Sequence, residues 1–418
     1  MKNQFPGYFS LPKAQIKKLW DEGLFVFDAN ILLGLYRYSD ATRKEFFATL
    51  DAVKERCWIP HQAAKEYFDN RLSVIGKQEE AYVDIVKSMD DIENKFKSSH
   101  QHPFLSPKVL DRLCKDFEIA RDELEKSKSF HTSRITDDDV LAEIERIFRD
   151  RIGLPYSDKD LSSILVEGEE RYKKNIPPGF RDGKKDDSAD STRRFGDLIL
   201  WKQILDKAKA DKQGVIFVCD DRKDDWWLQF KGKTLGPRPE LIKEFISMAG
   251  TNLHIYSSDR FLEFAGEHFE RKVSEVAVTE MRELKRCDEE KRRHMIELHK
   301  RRMEFEARAA RIDAERQDLG NALKHLEIER SMMEHSRQNL ARKVHLEDPA
   351  ALTQIDFERL EEFAARAAEM DHRMRELRDR LKMLDMEQDA ARSRISKRRS
   401  QQDASSNPYQ PFSFDDLS

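Results

Sequence analysis

Residues 24–30 read LFVFDAN, a run of four apolar residues followed directly by an aspartate. A short continuous apolar run is typical of a strand that is buried on both faces. Three similar runs follow along the chain: CWIP at 57–60, VIFVCDD at 215–221 and NLHIYS at 252–257. Helical patterns lie between these runs, and strands that alternate with helices favour a parallel sheet. The sequence therefore predicts an α/β fold with a mainly parallel sheet covered on both faces.

Strand signals disappear between residues 71 and 172, and this part of the chain is predicted to be a helical insertion. Ser106–Pro107, Thr136 with the aspartates after it, and Ser157 are candidate helix starts. A Pro-, Gly- and Asp-rich loop follows at 175–191. The four predicted helical segments are EEAYVDIVKSMDDIENKF, SPKVLDRLCKDFEIARDELEK, DDDVLAEIERIFRDRIG and SDKDLSSILVEGEERYKK.

After about residue 270 the composition changes to Glu, Arg, Lys, Met, Leu and Ala, and the apolar residues fall into heptads. The EDPAA segment at 347–351 should end the first helix, and a second register follows it. Two helices joined by a short turn predict an antiparallel hairpin, although pairing between molecules satisfies the same pattern. The first register comprises Leu298, Phe305, Ile312, Leu319, Leu326, Met333 and Leu340, and the second includes Leu360, Phe363, Ala367, Met370, Met374, Leu377, Leu381 and Leu384.

Bulk composition excludes several classes of protein. The formal net charge of the 418 residues is only −4, so contact with a polyanion requires a local basic patch. No stretch reaches the roughly 20 apolar residues that span a bilayer, and the N-terminus lacks the apolar core of a signal peptide. The four cysteines show no metal-binding spacing. We therefore expect a cytoplasmic protein with no membrane partner, no zinc site and no disulfide framework.

Four acidic residues stand where α/β proteins usually build their sites, at strand ends and at the starts of the helices that follow. Asp28 ends LFVF and Asp221 follows VIFVC, while Glu66 lies in PHQAAKEYFDNR and Asp197 opens the helix GDLILWKQIL. Carboxylates that converge after buried strands repel one another unless a cation binds them. Mg²⁺ or Mn²⁺ takes oxygen ligands and activates water for attack on a phosphodiester. The combination predicts a metal-dependent hydrolase.

Each acid taken alone has an ordinary structural explanation. An aspartate after a strand is more often a turn residue or a helix N-cap than a ligand, and Glu66 fits an exposed helix position. Asp197 is a natural N-cap after Gly196, and the run Asp220, Asp221, Asp224, Asp225 fits a solvated turn. The metal hypothesis therefore depends on the four acids occurring together.

Five segments in this order, FVFDANILLGLYRYS, WIPHQAAKEYFDNR, NIPPGFRDGKK, GDLILWKQIL and FVCDDRKDDWW, resemble the PIN-like nuclease family, in its branch with a long helical insertion. The resemblance covers about residues 20–265. It implies a three-layer α/β/α sandwich that binds one or two Mg²⁺ or Mn²⁺ ions and hydrolyses nucleic acid, usually RNA. By position, Asp28, Glu66, Asp197 and Asp221 would bind the metal, and Asn30 would support the site. Cys219 stands where the family usually has Thr or Ser.

Three further acids are secondary candidate ligands by the same resemblance or by their position. Asp182 lies in PPGFRDGKK, Asp225 lies in DDRKDDWW, and Asp220 stands beside Asp221. Basic residues near these segments are candidates for contact with the phosphates of a nucleic acid, although they also fit solvated loops. The candidates are Lys184, Lys185, Arg193, Arg194 and Arg222.

The leading function is a metal-dependent nuclease that acts on RNA or single-stranded DNA. A protein partner or self-association through the coiled coil is expected, and analogy with nuclease–arm fusions suggests bacterial defence or toxicity. The alternatives are a catalytically silent PIN-like scaffold whose coiled coil binds other proteins, and a phosphodiesterase for small substrates. The predicted divisions are an N-terminal segment (1–19), a PIN-like domain (20–265, insertion 71–172), an antiparallel coiled coil (272–395) and a disordered tail (396–418).

Overall fold

The computed structural model describes residues 1, 4–98, 105–184, 192–346 and 354–404. The strands within these ranges are β1 (Leu24–Phe27), β2 (Cys57–Trp58), β3 (Val215–Val218), β4 (Trp227–Phe230), β5 (Lys233–Pro237) and β6 (Leu253–Tyr256). The α-helices are α1 (Lys13–Glu22), α2 (Ala29–Gly34), α3 (Asp40–Val53), α4 (His61–Lys97), α5 (Pro107–Ser133), α6 (Asp139–Phe148), α7 (Asp158–Lys173), α8 (Gly196–Asp211), α9 (Pro239–Ala249), α10 (Ser258–His268), α11 (Glu275–Leu346) and α12 (Gln354–Ala404).

The four apolar runs form one parallel sheet in the order β2-β1-β3-β6. All four residues of β1 and of β3 are buried. The register pairs Phe27 with Val218, so β1 and β3 end side by side at the same edge of the sheet. The predicted α/β fold with a mainly parallel sheet is confirmed, and the residues that follow β1 and β3 are placed together.

Helices cover both faces of this sheet. Phe27 on one face contacts Phe261 of α10, with ring centroids 5.5 Å apart. Phe217 is aligned with Val26 and so faces the opposite side, because successive side chains of a strand alternate between faces. There it contacts Trp226, which packs against Trp201 of α8. The result is the three-layer α/β/α arrangement.

The insertion is helical, but its first predicted helix is not a separate element. Residues 79–96 continue α4, which runs for 37 residues from the segment that carries Glu66. No proline or capping signal interrupts this stretch, and Gly76 is accommodated within the helix. Asp138 accepts a hydrogen bond from the Leu141 amide (2.9 Å) and Ser157 accepts one from the Asp160 amide (3.2 Å), so these side chains cap α6 and α7.

The antiparallel pair β4–β5 was not predicted from the sequence. Its residues are half-buried or exposed and show no apolar run, and a register shift between Leu228 and Gln229 interrupts the pairing. A pattern based on buried strands cannot detect such a hairpin.

The chain divides into two compact units, Met1–Arg292 and a second unit that begins at Arg293. The first part of α11 therefore belongs to the α/β unit, where Ala277 and Met281 are buried in its core. The domain boundaries expected from the sequence stay predictions. Within the part of the chain that the structure describes, no helix is long and apolar enough to cross a membrane.

The second unit consists of the remainder of α11 and of α12. The two helices run antiparallel, because residues later in α11 pair with residues earlier in α12: Glu315 with Arg380 (2.8 Å) and Arg330 with Asp371 (2.9 Å). Among the predicted heptad positions, the buried residues are Ile312, Met370, Met374 and Leu384, whereas Leu298 is exposed.

Two predictions on the arm concern residues that the structure describes only in part. The helix break at 347–351 lies outside the described residues. Residues 396–404 of the predicted disordered tail are helical, since α12 extends to Ala404 in a stretch without proline or glycine, and residues 405–418 lie outside the described ranges.

Candidate metal centre

Asp28 is the buried acid at the end of β1, and it also caps α2. Its Oδ1 accepts a hydrogen bond from the Ala29 amide (2.8 Å), and its Oδ2 accepts one from Asn30 Nδ2 (3.2 Å). The Cys219 thiol donates to the same Oδ2 at 3.6 Å. Burial, together with the charges of Glu66 and Asp221, raises the pKa of Asp28 to about 7. Asn30 and Cys219 therefore both support the Asp28 carboxylate, and Cys219 does so where a hydroxyl was expected.

Glu66 lies on the second turn of α4 and points toward the start of α8. Gln62 Nε2 donates a hydrogen bond to Glu66 Oε1 at 2.7 Å. A Cβ atom on Gly196 would lie only 2.8 Å from that oxygen. Because Gly196 has no side chain, there is room for the Glu66 carboxylate beside the start of α8.

Asp221 and Asp197 complete the predicted group of four. Asp221 follows β3, and its Oδ1 accepts a hydrogen bond from the Lys223 amide (2.8 Å). Asp197 lies in the first turn of α8. Burial, and then the charges of Asp182, Asp221 and Asp225, raise the pKa of Asp197 well above its usual range, although Lys223 opposes this effect. The charges of Asp182, Asp221 and Asp225 act on Asp197, so the fold brings these carboxylates within electrostatic reach of it.

Asp182 and Asp225, two of the secondary candidates, lie in the same group. The side chain of Asp225 is fully buried, and its Oδ2 accepts a hydrogen bond from the Arg181 amide (3.3 Å). Burial and the charge of Asp221 raise the pKa of Asp225 to about 6. Asp182 is also buried. The loop at 175–184 and the turn after β3 therefore face the same acidic cleft.

Lys223 lies among these acids, and it is not one of the candidate residues predicted from the sequence. Its Nζ is 2.8 Å from Asp182 Oδ2, 3.2 Å from Asp221 Oδ2 and 3.8 Å from Asp197 Oδ2. Burial alone would lower the pKa of Lys223, but these three carboxylates raise it well above its usual range. The only signal in the sequence is its position two residues after Asp221 in a tight turn.

Asp220, the third secondary candidate, is bound by residues of α10 and α11. Its two oxygens accept hydrogen bonds from the amide and hydroxyl of Ser258, at 2.9 and 2.6 Å, at the start of α10. Lys285 of α11 forms an ion pair with it at 2.7 Å. The structure thus assigns Asp220 to the packing of α10 and α11.

The oxygen atoms of these acids are suitable ligands for a hard divalent cation, although they do not form a complete coordination site. Among the described residues, no three His, Cys, Asp or Glu side chains are arranged to hold an ion as they stand. However, two buried carboxylate oxygens, Asp197 Oδ2 and Asp225 Oδ1, accept no hydrogen bond from the described part of the chain. Buried carboxylate oxygens without donors are costly, and Mg²⁺ or Mn²⁺ would satisfy them.

Two of the five basic candidates, Arg222 and Arg194, are paired with acids. Arg222 pairs with Glu289 of α11 at 2.9 Å. Arg194 pairs with Glu169 and lies over the Phe195 ring, 4.6 Å from its centroid. Arg193 is exposed. Lys185 and the side chain of Lys184 lie outside the described residues. Their contact with phosphates stays a prediction.

Comparison with known families identifies the fold. The model of the PIN-like domain matches residues 24–241, which is more than half of the chain. The chain belongs to the PIN-like domain family. The matched region begins at β1, includes the insertion and contains all four predicted acids. No curated protein and no solved structure matches the chain.

Proposed function

We propose that this PIN-like protein is a metal-dependent nuclease that hydrolyses phosphodiester bonds of RNA or single-stranded DNA. The observation that carries the proposal is the convergence of Asp28, Glu66, Asp197 and Asp221 at one edge of the sheet. Beside it, the buried oxygens Asp197 Oδ2 and Asp225 Oδ1 accept no hydrogen bond from the described residues. PIN-like domains are generally nucleases, and the cleft has the oxygen ligands that their chemistry requires.

The four acids would hold Mg²⁺ or Mn²⁺, with Asp182 and Asp225 at the side of the same cleft. A bound ion would supply an activated water and would neutralise charge on the phosphate during hydrolysis. Asn30 and Cys219 hold the Asp28 carboxylate in position through Oδ2. Gln62 orients Glu66 in the same way. These side chains fix the direction of the ligands before the substrate arrives.

The proposal also covers the contacts with the nucleic acid, the partner of the arm and the role in the cell. Arg193, Arg194 and Arg222, with Lys184 and Lys185, would contact the phosphates on either side of the cut. Arg194 and Arg222 would exchange Glu169 and Glu289 for the nucleic acid. The arm would bind a protein partner or a second copy of the chain. A cytoplasmic location is proposed from the sequence, and a role in bacterial defence or toxicity is proposed by analogy with nuclease–arm fusions.

The deciding experiment is cleavage of labelled single-stranded RNA and DNA with Mn²⁺ or Mg²⁺. Wild type should cut at least one substrate, and Asp28→Asn and Asp221→Asn should each lose roughly a hundredfold or more of the rate. Asp206→Asn is the matched control, because Asp206 lies on α8 but accepts a hydrogen bond from Tyr156 (2.6 Å) and not from any site residue. No cutting with either metal would favour the silent scaffold, and equal cutting by wild type and both site variants would show that Asp28 and Asp221 do not carry the reaction.

A further inference from the structure

The ammonium of Lys223 lies in the acidic cleft, among three carboxylates that attract a cation. Its ammonium lies within 3.8 Å of oxygens from Asp182, Asp197 and Asp221. These carboxylates come from three separate segments: the loop before α8, the first turn of α8 and the turn after β3. A single positive charge therefore joins three parts of the chain that would otherwise repel one another.

This charge satisfies the cleft only in part. The ammonium donates a hydrogen bond to Asp182 Oδ2 (2.8 Å), but it stays 3.8 Å from Asp197 Oδ2. That oxygen and Asp225 Oδ1 accept no hydrogen bond from the described residues. A divalent ion that approached these oxygens would meet Lys223 as a like charge at close range and would be repelled by it.

We propose that Lys223 is a built-in competitor of the divalent cation: its ammonium holds Asp182, Asp197 and Asp221 together in the metal-free protein, and an incoming ion must draw Asp197 and Asp221 away from it. The inference rests on the metal-binding part of the proposed function. Lys223 therefore has a positioning role. Below a certain concentration of the divalent cation, its ammonium stays bound to the carboxylates and the ion does not bind.

The same contacts predict opposite effects on stability and on metal affinity when the charge is removed. Without the ammonium, the metal-free carboxylates lose their counter-ion, so the metal-free fold becomes less stable. The bound ion loses a competitor, so its affinity increases. A lysine that merely supported the ligands would behave differently, because its loss would weaken both the fold and the metal site.

The test is Mn²⁺ binding to the full chain by titration calorimetry, without nucleic acid. Lys223→Met should bind Mn²⁺ roughly tenfold tighter than wild type, whereas Lys223→Arg should stay close to wild type because it keeps the charge. Lys202→Met is the matched control: Lys202 lies on α8 and pairs with Glu167 at 2.7 Å, with no site carboxylate. Its affinity for Mn²⁺ should not change.

Thermal unfolding supplies a second measurement, which reports the stability of each protein with and without the ion. Lys223→Met should have the lower midpoint in chelator and the larger increase in midpoint on addition of Mn²⁺. Binding of Mn²⁺ by Lys223→Met alone, with none by wild type, would also support the inference.

The inference and the proposed function fail in different ways. Unchanged or weaker Mn²⁺ binding by Lys223→Met, or equal tightening in Lys202→Met, would overturn the role of Lys223 and leave the nuclease standing. Mn²⁺ binding with the expected order of affinities but no cleavage of RNA or DNA would overturn the nuclease and leave Lys223 as the competitor. No Mn²⁺ binding by any variant would overturn both.

Discussion

Arg37, in the turn after α2, forms a two-point ion pair with Asp288 on α11: its two terminal nitrogens lie 2.7 Å from the two carboxylate oxygens. About one fifth of each side chain is exposed, 22% for Arg37 and 20% for Asp288. The pair fastens the first part of α11 to the segment that follows Asp28 and Asn30. The same two segments line a cavity of about 140 Å³ that reaches Asp221 and Lys223.

We expect Arg37→Met to lower the free energy of unfolding of the first unit by about 1 to 3 kcal/mol, because Asp288 loses its partner in a poorly solvated position. The double variant with Asp288→Met should lose less than the sum of the single variants, with a coupling of about 1 to 2 kcal/mol. Tryptophan fluorescence during denaturation measures this directly, since all five tryptophans lie in the first unit.

The control for this cycle is the exposed pair Arg286–Glu290 on the same helix, at 3.9 Å, which also lies in the first unit. Its coupling should stay below about 0.5 kcal/mol, the range of exposed helical pairs. A coupling for Arg37 and Asp288 as small as that of the control would show that the ion pair does not fasten α11.

Asp28 should make the stability of the metal-free protein fall as the pH rises. Its pKa is raised from 3.8 to about 7 in the folded state, so between these values the folded protein holds a proton that the unfolded chain has lost. The stability is therefore highest near pH 4 and decreases by up to about 4 kcal/mol by pH 8 on account of this group.

Asp28→Asn removes that dependence, so in chelator the variant should be more stable than wild type at pH 8, and the difference should disappear toward pH 4. The measurement is the midpoint of denaturation of both proteins across this range. With saturating Mn²⁺ the order at pH 8 should reverse, because only wild type keeps the ligand. A difference that stays constant with pH would refute the burial of a carboxylate with a raised pKa at this position.

Gly196 provides a test of the position of Glu66. A Cβ atom there would lie 2.8 Å from Glu66 Oε1 and 3.4 Å from Gln62 Nε2, so Gly196→Ala should push the carboxylate aside. Since the displaced group is the end of a side chain and alanine favours a helix, stability should change by less than about 1 kcal/mol. Cleavage should fall by roughly tenfold to a hundredfold.

Gly76→Ala is the matched control, since nothing lies within 4 Å of a Cβ atom at that position of α4. It should leave the cleavage rate unchanged and raise stability by about 0.5 to 1 kcal/mol. Full activity in Gly196→Ala would show that the exact position of Glu66 does not matter for the reaction.

The four parallel strands and the acids after them were predictable because their signals are local. A buried strand such as β3 needs an unbroken apolar run, and parallel strands put Asp28 and Asp221 at one edge whatever the rest of the fold does. The heptads of the arm are local signals of the same kind. The roles of Gly196 and Gln62 beside Glu66 were not predicted, because they depend on the approach of α4 to α8.

Other features depend on distant partners that no local pattern reveals. Asp220 and Asp221 are neighbouring residues of the same type, so no local pattern separates their environments. In the structure, Ser258 and Lys285 hold Asp220 against α10 and α11. Lys223 resembles any loop lysine until the fold surrounds it with Asp182, Asp197 and Asp221. The side on which a turn presents each residue is set by tertiary contacts.

The two neighbouring aspartates should therefore respond in opposite ways to the same substitution. Asp220→Asn should lower stability by about 2 kcal/mol, because it disturbs the bonds to Ser258 and leaves Lys285 with less counter-charge, yet it should leave the affinity for Mn²⁺ unchanged. Asp221→Asn should weaken Mn²⁺ binding by roughly tenfold or more. Calorimetry and denaturation of both variants measure the two effects. The contrary outcome is that Asp220→Asn weakens Mn²⁺ binding as much as Asp221→Asn while the fold stays intact. Asp220 would then have to turn toward the cleft when the ion binds. Its contacts with Ser258 and Lys285 would belong to the metal-free protein alone.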